Sequence, residues 1–307
     1  LDGLRGVAAA VAVAFQLLEA HSGGNHLNQI INHGYLAVDF FFMLSGFVIG
    51  YAYDDRWNRM STGTFFKRRL IRLQPMVIMG SIVGAALFWF QDAPCYPAME
   101  GVSAGAVLLV MLLGCTLLPL PLKWDVRGWM EMHPLNGPAW SLYYEYIGNI
   151  LYALFIRKFS KTALTVLVAI AACFTVHRCL TAPAGDIVGG WALNWEQQYV
   201  GLVRLMYPFF GGLLLSRLGW LIRTRKNAFG WCSLMIIAVL SAPRIGGEDG
   251  YWMNGLYEAF CIICIFPVIV SMGAGGRITG KRSAAVCKFL GDISYPVYIT
   301  HYPLVYI

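Results

Sequence analysis

Apolar residues run in long blocks separated by short polar stretches, and the cations concentrate in those stretches. Blocks near 4–20, 34–53, 75–92, 105–122, 138–157, 162–180, 199–217, 228–242, 256–273 and 289–307 are each long enough to cross or enter a bilayer. The pattern predicts an all-α fold, a polytopic transmembrane helical bundle of about ten membrane segments. No internal repeat, low-complexity tract or linker breaks it, so residues 1–307 read as a single transmembrane domain.

The loops supply an orientation. Segment 54–74 holds Arg56, Arg59, Lys67, Arg68, Arg69 and Arg72, and 157–161, 217–226 and 277–288 are also basic. By contrast, 21–33 and 93–104 contain no Lys or Arg, 181–197 carries only acids, and 243–255 sets Arg244 against Glu248 and Asp249. An excess of cations on the cytoplasmic side places the basic loops there. Ten single crossings would put the basic loops after residue 157 outside. One segment between 93 and 157 is therefore expected to be re-entrant, with 105–122 preferred, or else 121–137 makes an unrecognised passage. With one re-entrant segment Leu1 lies inside and Ile307 outside. Irregular backbone at membrane depth survives only where protein or a water-filled cavity surrounds it, so this region points to a cavity.

Composition agrees with the pattern. The chain is 58% hydrophobic and 13% charged, against about 25% charged in a soluble domain. The net charge of +7 sits in a few short loops, where it encodes topology rather than nucleic-acid binding. Leu1 to Glu19 lacks a small-residue cleavage site and is not expected to be a removable signal peptide. The missing initiator Met predicts a native chain that begins earlier, and it is expected to continue past 307. Eight cysteines are scattered through apolar segments. Cys261 and Cys264 form a C-x-x-C inside FCIICIF, where packing is favoured over redox or zinc chemistry. No metal site is expected.

Polar groups inside the apolar blocks are the candidates for chemistry, because they are costly unless they line a cavity or meet a partner. In LDGLRGVAAAVAVAFQ, Arg5 and Gln16 are eleven residues apart. That is roughly three turns, so both point one way, about 16 Å apart along the axis. Alternatively Arg5 sits among headgroups and Gln16 makes a helix–helix bond. Asp39 is an acid in GYLAVDFFFMLSGFVIG, a functional candidate or a residue at headgroup level. Ser45 and Gly46 there suit close helix packing. Arg69 and Arg72 in FFKRRLIRLQP share a helical face at one mouth, and their forked donors suit phosphate or a lipid headgroup. Ser141 and Glu145 in GPAWSLYYEY are four residues apart and can face one cavity. Arg204 reads as an interfacial anchor. His21, His26 and His33 read as a solvated loop, His133 and His177 are unassigned, and Ser294, Tyr295 and His301 as a polar helix end.

Taken in order, LDGLRGVAA, GYLAVDFFFMLSGFVI, FFKRRLIRLQP, WSLYYE, YPFFGGLLL and LGDISYPVYITHYP resemble the acyltransferase-3 family of integral membrane acyltransferases across essentially the whole chain. The resemblance implies transfer of an acyl group, commonly acetyl, from cytoplasmic acyl-CoA to a hydroxyl of a cell-envelope glycan or similar acceptor. It implies a multi-pass protein of the bacterial inner membrane, with acetyl-CoA or another acyl-CoA as donor, no metal cofactor and membrane lipid around it. Arg5 matches the family's first-helix Arg. Arg69 and Arg72 match an Arg-x-x-Arg linked to CoA phosphates. Asp39, Ser45, Trp140, Ser141 and Glu145 fall in further motifs. Gln16 stands where the family has His.

A His there would act as general base on the acceptor hydroxyl or relay the acyl group. Arg5 would stabilise the thioester oxyanion, Asp39 orient the base and Glu145 bind the acceptor. Gln16 has no group that titrates near neutral pH, and His21, about 140° around the helix, cannot replace it. The expected enzyme is therefore impaired at position 16. A substitution made to trap a bound state is the preferred explanation, ahead of a natural variant with another base or a protein that binds without turnover. The alternatives to an acyltransferase are a glycan or lipid transporter and an inactive acyl-CoA-binding relative.

Overall fold

The computed structural model describes every residue except 24, 26, 28, 91–100, 225–226, 248–249, 279 and 306–307. His26, Glu248, Asp249, Ile307 and part of the cation-free 93–104 loop thus lie outside the described residues. Among the described residues the chain is helical, with no strand. The helices are α1 (Asp2–His21), α2 (Ala37–Tyr53), α3 (Thr62–Phe90), α4 (Ala104–Gly114), α5 (Ala139–Leu154), α6 (Lys161–Thr181), α7 (Trp195–Leu218), α8 (Ala228–Leu240), α9 (Tyr251–Phe260), α10 (Phe266–Gly275) and α11 (Lys281–Val305). A π turn, Cys261–Ile265, joins α9 and α10 into one rod.

Each predicted apolar block contains a helix among its described residues, but length and composition mark six as able to cross a membrane: Asp2–His21, Gly34–Arg56, Thr62–Phe90, Lys161–Thr181, Trp195–Leu218 and Tyr251–Gly275. The α4 helix has 11 residues, about 17 Å, roughly half a hydrocarbon core of about 30 Å. The segment 105–122 is thus a short helix and a turn, with Leu117 left-handed at φ 63°. Beyond it, residues 131–137 are non-helical apart from turns and largely buried. Their backbone presses on α3 where Gly84 leaves room for the Leu135 carbonyl. The irregular stretch is enclosed by protein, as its place in an apolar bundle requires.

Two helix pairs organise the bundle, and glycine sets both. In α2 and α7 a side chain on Gly46 would strike the Phe209 carbonyl, and one on Gly212 the Met43 carbonyl. Small residues let backbones touch, which gives dispersion contact in lipid where the hydrophobic effect does not drive helix association. Contacts of Asp39 with Arg204, Gly46 with Phe209 and Asp54 with Arg217 advance together along both helices, so α2 and α7 are parallel. In α1 and α11, Gly6 lies on the Leu290 carbonyl and Gln16 on His301, so these are parallel too.

One proline defect is repaired by a side chain. Pro267 has no N–H for the carbonyl of Ile263 four residues earlier. The Tyr207 hydroxyl from α7 donates to that carbonyl at 3.0 Å, and the π turn falls at the same place.

At one end of α2, Asp54 accepts two bonds from Arg217 at 2.7 and 3.1 Å and one from the Tyr152 hydroxyl at 2.8 Å. At the other end, His33 is buried between Asn254 Oδ1 and the Ala242 carbonyl, each 2.9 Å away. Glu258 accepts from Tyr35 and, at 2.7 Å, from the Ile187 N–H. The expectation of a solvated His33 is corrected here. Its partners come from more than 200 residues away, and no local pattern announces them.

Candidate active site

A cavity of about 80 Å³, open on one side, lies between α1, α2, α3, α5 and α11. Arg5 and Arg72 line it together with Ser45, Ser141, Glu145, Ser294, Tyr295 and Tyr298. Arg5 enters from the first turns of α1. Arg72 comes from α3, is exposed, and makes no ion pair among the described residues. Arg5 contacts Asp2 at 3.6 Å, an exposed partner that leaves the guanidinium largely free.

Glu145 is the carboxylate in the cavity lining. Its Oε1 accepts from Ser45 Oγ at 2.9 Å and from Arg69 at 2.5 Å. Arg69 is only 3% exposed. The sequence pair Arg69 and Arg72 is therefore divided: Arg69 is held by Glu145, while Arg72 faces the cavity beside Arg5. Arg5 lies in the field of both other arginines and of Glu145. Three guanidinium groups against one inward carboxylate leave the cavity net positive, which suits an anion.

Ser141, from the first turn of α5, bonds the Pro138 carbonyl at 2.9 Å and the Tyr298 hydroxyl at 3.0 Å. Tyr298 lines the cavity from α11. Trp140 is outside the cavity, with the Arg204 guanidinium over its ring at 5.0 Å.

Asp39 is also outside. It is fully buried and accepts from Arg204 Nε at 3.3 Å and Nη2 at 2.7 Å. Arg204 further donates to the carbonyls of Tyr35 at 2.8 Å and Gly189 at 3.1 Å. The reading of Arg204 as an interfacial anchor is corrected: it is buried because α7 packs parallel to α2 and brings it level with Asp39. The same packing places Asp39 with Arg204 rather than with Gln16.

Gln16 sits about 16 Å up α1 from Arg5 and its side-chain oxygen meets His301 Nε2. His301 Nδ1 lies 2.9 Å from the Tyr298 carbonyl and 3.1 Å from that of Val297. His301 was visible in the sequence, but nothing there ties it to Gln16, because the seam of α1 with α11 joins opposite ends of the chain. Over the same region the Tyr302 hydroxyl donates to Glu131. Burial pushes the Glu131 carboxyl up to about 8 and pulls His133 down to about 3. Both lie in the loop before α5. His133 is buried with neither ring nitrogen bonded. Among the described residues no group of three or more His, Cys, Asp or Glu is placed to hold a metal.

A family model described as an acyltransferase domain, of the acyltransferase-3 type, matches residues 1–307. The acyltransferase MdmB of Streptomyces mycarofaciens is 24% identical over 322 residues, covering 99% of this chain and 78% of that protein. Protein 2 in the picA locus of Rhizobium radiobacter is 32% identical over 160 residues, covering 50% and 79%. The O-acetyltransferase OatA of Staphylococcus aureus is 22% identical over 320 residues, covering 99% of this chain and 50% of OatA, so the chain spans about half of that protein. No solved structure matches the chain.

Proposed function

The chain belongs to the acyltransferase-3 family and is a multi-pass membrane acyltransferase, and we propose that its donor is a cytoplasmic acyl-CoA, most simply acetyl-CoA. The observation that carries this reading is the pair of cations, Arg5 and Arg72, that line one cavity together with hydroxyls and a carboxylate. Guanidinium forks match phosphate oxygens. The cavity is well below the roughly 300–1,000 Å³ that encloses a drug-sized ligand. The nucleotide end of CoA therefore stays at the mouth and the narrow pantetheine arm enters. Arg69, held by Glu145, adds charge without direct contact. Trp140 acts through Arg204, and Ser45 and Ser141 keep Glu145 and Tyr298 in place.

The acceptor in this proposal is a hydroxyl, of a cell-envelope glycan or a similar molecule, in keeping with relatives named for acyl and O-acetyl transfer. The membrane is the bacterial inner membrane, where acyl-CoA is available on one face. Parallel α2 and α7 also favour the re-entrant topology. An odd number of crossings must separate them, and four helices, α3 to α6, intervene. Short α4 is the one that turns back, so that nine of the ten segments cross.

Gln16 supports a second reading, an acyl-CoA-binding relative without turnover, because an amide cannot take the acceptor's proton. Calorimetric CoA binding to purified protein, with labelled acetyl transfer in vesicles, tests both. Micromolar binding with turnover is expected. Binding alone selects the inactive relative, and absence of CoA binding refutes the donor assignment and favours a transporter of another substrate.

A further inference from the structure

We propose that His301 is the general base of this acyltransferase and that Gln16 is the residue that holds and releases it. This rests on the acyl-CoA reading above and adds the proton carrier which that reading lacks at position 16.

The hydrogen bonds fix the tautomer. Nδ1 of His301 faces two backbone carbonyls, of Tyr298 at 2.9 Å and Val297 at 3.1 Å. Carbonyl oxygens only accept, so Nδ1 carries a proton in either state of the ring. The nitrogen that gains and loses a proton is therefore Nε2, and Nε2 is the atom that meets Gln16. A primary amide presents an acceptor on one side and donors on the other. With its oxygen turned to Nε2, as here, Gln16 accepts from the imidazolium. After a half-turn its NH₂ donates to the lone pair of the neutral ring. Gln16 thus supports both states of a proton carrier, whereas a carboxylate there would favour only the charged one.

The position suits the chemistry. Tyr298 lines the cavity, and His301 lies one turn of α11 further on, about 4.5 Å along the axis. Phosphates held at Arg5 and Arg72 direct the thioester toward this side of the cavity. The ring is buried but its partner Gln16 is only half-buried, so rotation of Gln16 gives an acceptor hydroxyl access to Nε2. The titratable groups around the ring are Tyr298 and Tyr302 on α11, Glu131 behind Tyr302, and Glu19 one turn beyond Gln16 on α1.

In the proposed step, Nε2 takes the proton of the acceptor hydroxyl as its oxygen attacks the thioester carbonyl. The C–O bond forms, the C–S bond breaks, and the imidazolium returns the proton to the departing thiolate. The products are an ester and CoA thiol.

The test uses the full chain in vesicles with labelled acetyl-CoA, reading transfer, hydrolysis and self-acylation, with CoA binding measured on the same preparations. His301→Gln is expected to lower turnover at least 100-fold, to flatten the acidic limb of the pH–rate profile, and to bind CoA within about threefold of the native chain, a fold control. Added imidazole is expected to restore part of the rate to His301→Ala. Gln16→Leu, which removes both the acceptor and the donors offered to Nε2, is expected to lower turnover at least tenfold with CoA binding retained, and keeps the proposal testable if His301 variants do not fold. His301→Gln with native turnover and an unchanged profile overturns the proposal while leaving the acyl-CoA reading intact. A hundredfold gain in Gln16→His also overturns it, since position 16 would then be the missing base. CoA binding without turnover in the native chain overturns the base assignment, and no CoA binding overturns the acyl-CoA reading with it.

Discussion

Removing Asp39 tests whether its carboxylate holds the fold or takes part in the reaction. Arg204 is 2% exposed and Asp39 fully buried, with two bonds between them at 2.7 and 3.3 Å. Asp39→Asn leaves the guanidinium buried without its counter-charge, and Arg204→Met leaves the carboxylate so. Each is expected to cost about 3–5 kcal/mol, the usual penalty for breaking a buried pair from one side. In the double variant Asp39→Leu with Arg204→Met no charge is stranded. What remains is the loss of donors to the Tyr35 and Gly189 carbonyls, at about 1–2 kcal/mol each. The double variant should therefore lose about 2–4 kcal/mol, well short of the sum of the singles. For a domain of this size about 2–4 °C corresponds to 1 kcal/mol, so each single should lower the unfolding midpoint by roughly 6–20 °C. The assay is thermal unfolding in detergent at fixed heating rate, because membrane proteins commonly unfold irreversibly. A midpoint for Asp39→Asn within about 2 °C of native, or strict additivity in the double, would refute the reasoning. Loss of acetyl transfer at an unchanged midpoint would instead put Asp39 in the chemistry.

Arg5→Ala and Arg72→Ala should each raise the Michaelis constant for acetyl-CoA about 10- to 100-fold, the equivalent of one charge-assisted bond of about 1.5–3 kcal/mol, with a smaller effect on turnover; steady-state kinetics in vesicles decides. Glu131 is pushed up to about 8 from an ordinary 4.5 by burial. The folded chain thus keeps a proton that the unfolded chain loses, and stability should be highest below about pH 4.5 and fall as pH rises toward 8. Melting curves across that range should lose most of this slope in Glu131→Gln. Gly46→Leu drives a side chain into the Phe209 carbonyl and should cost at least the roughly 1–3 kcal/mol of an overpacked core, read as a lower melting midpoint or loss of folded protein in the membrane.

The helices were legible because lipid imposes a length and an apolar face, and both are written in consecutive residues. Every predicted apolar block holds a helix among its described residues, six of them long and apolar enough to cross a membrane, and the shortness of α4 falls in the interval where loop charges disagreed with simple alternation. Side-chain partners were not legible. Asp39 could be recognised as costly, but its partner Arg204 is 165 residues away and emerges only when two helices run parallel in one register. Arg69 and Arg72 look equivalent at a spacing of three. One turn of the helix nonetheless separates a residue closed under Glu145 from one open to the cavity. Gln16 was legible as a departure from the family pattern, yet the sequence offered no sign that a histidine faces it.

The two parallel seams divide the work of the molecule by how their polar groups are satisfied. Along α2 and α7, glycine contact in the middle is flanked by the fully bonded pairs Asp39–Arg204 and Asp54–Arg217. Both ion pairs are bonded within the seam. Along α1 and α11, glycine contact occurs only at the Gly6 end. Beside it the helices and their neighbours leave the cavity lined by Arg5, and further along comes the Gln16–His301 contact, which in the proposed mechanism exchanges for a substrate. A site that must admit and release a ligand needs such exchangeable partners, and it needs them held on a frame whose own ion pairs do not exchange. Position 16 lies on the α1–α11 seam and the buried pair Asp39–Arg204 on the α2–α7 seam. On this reading position 16 can vary between His and Gln while the geometry persists, because the frame is set elsewhere and the imidazole is still supplied by α11.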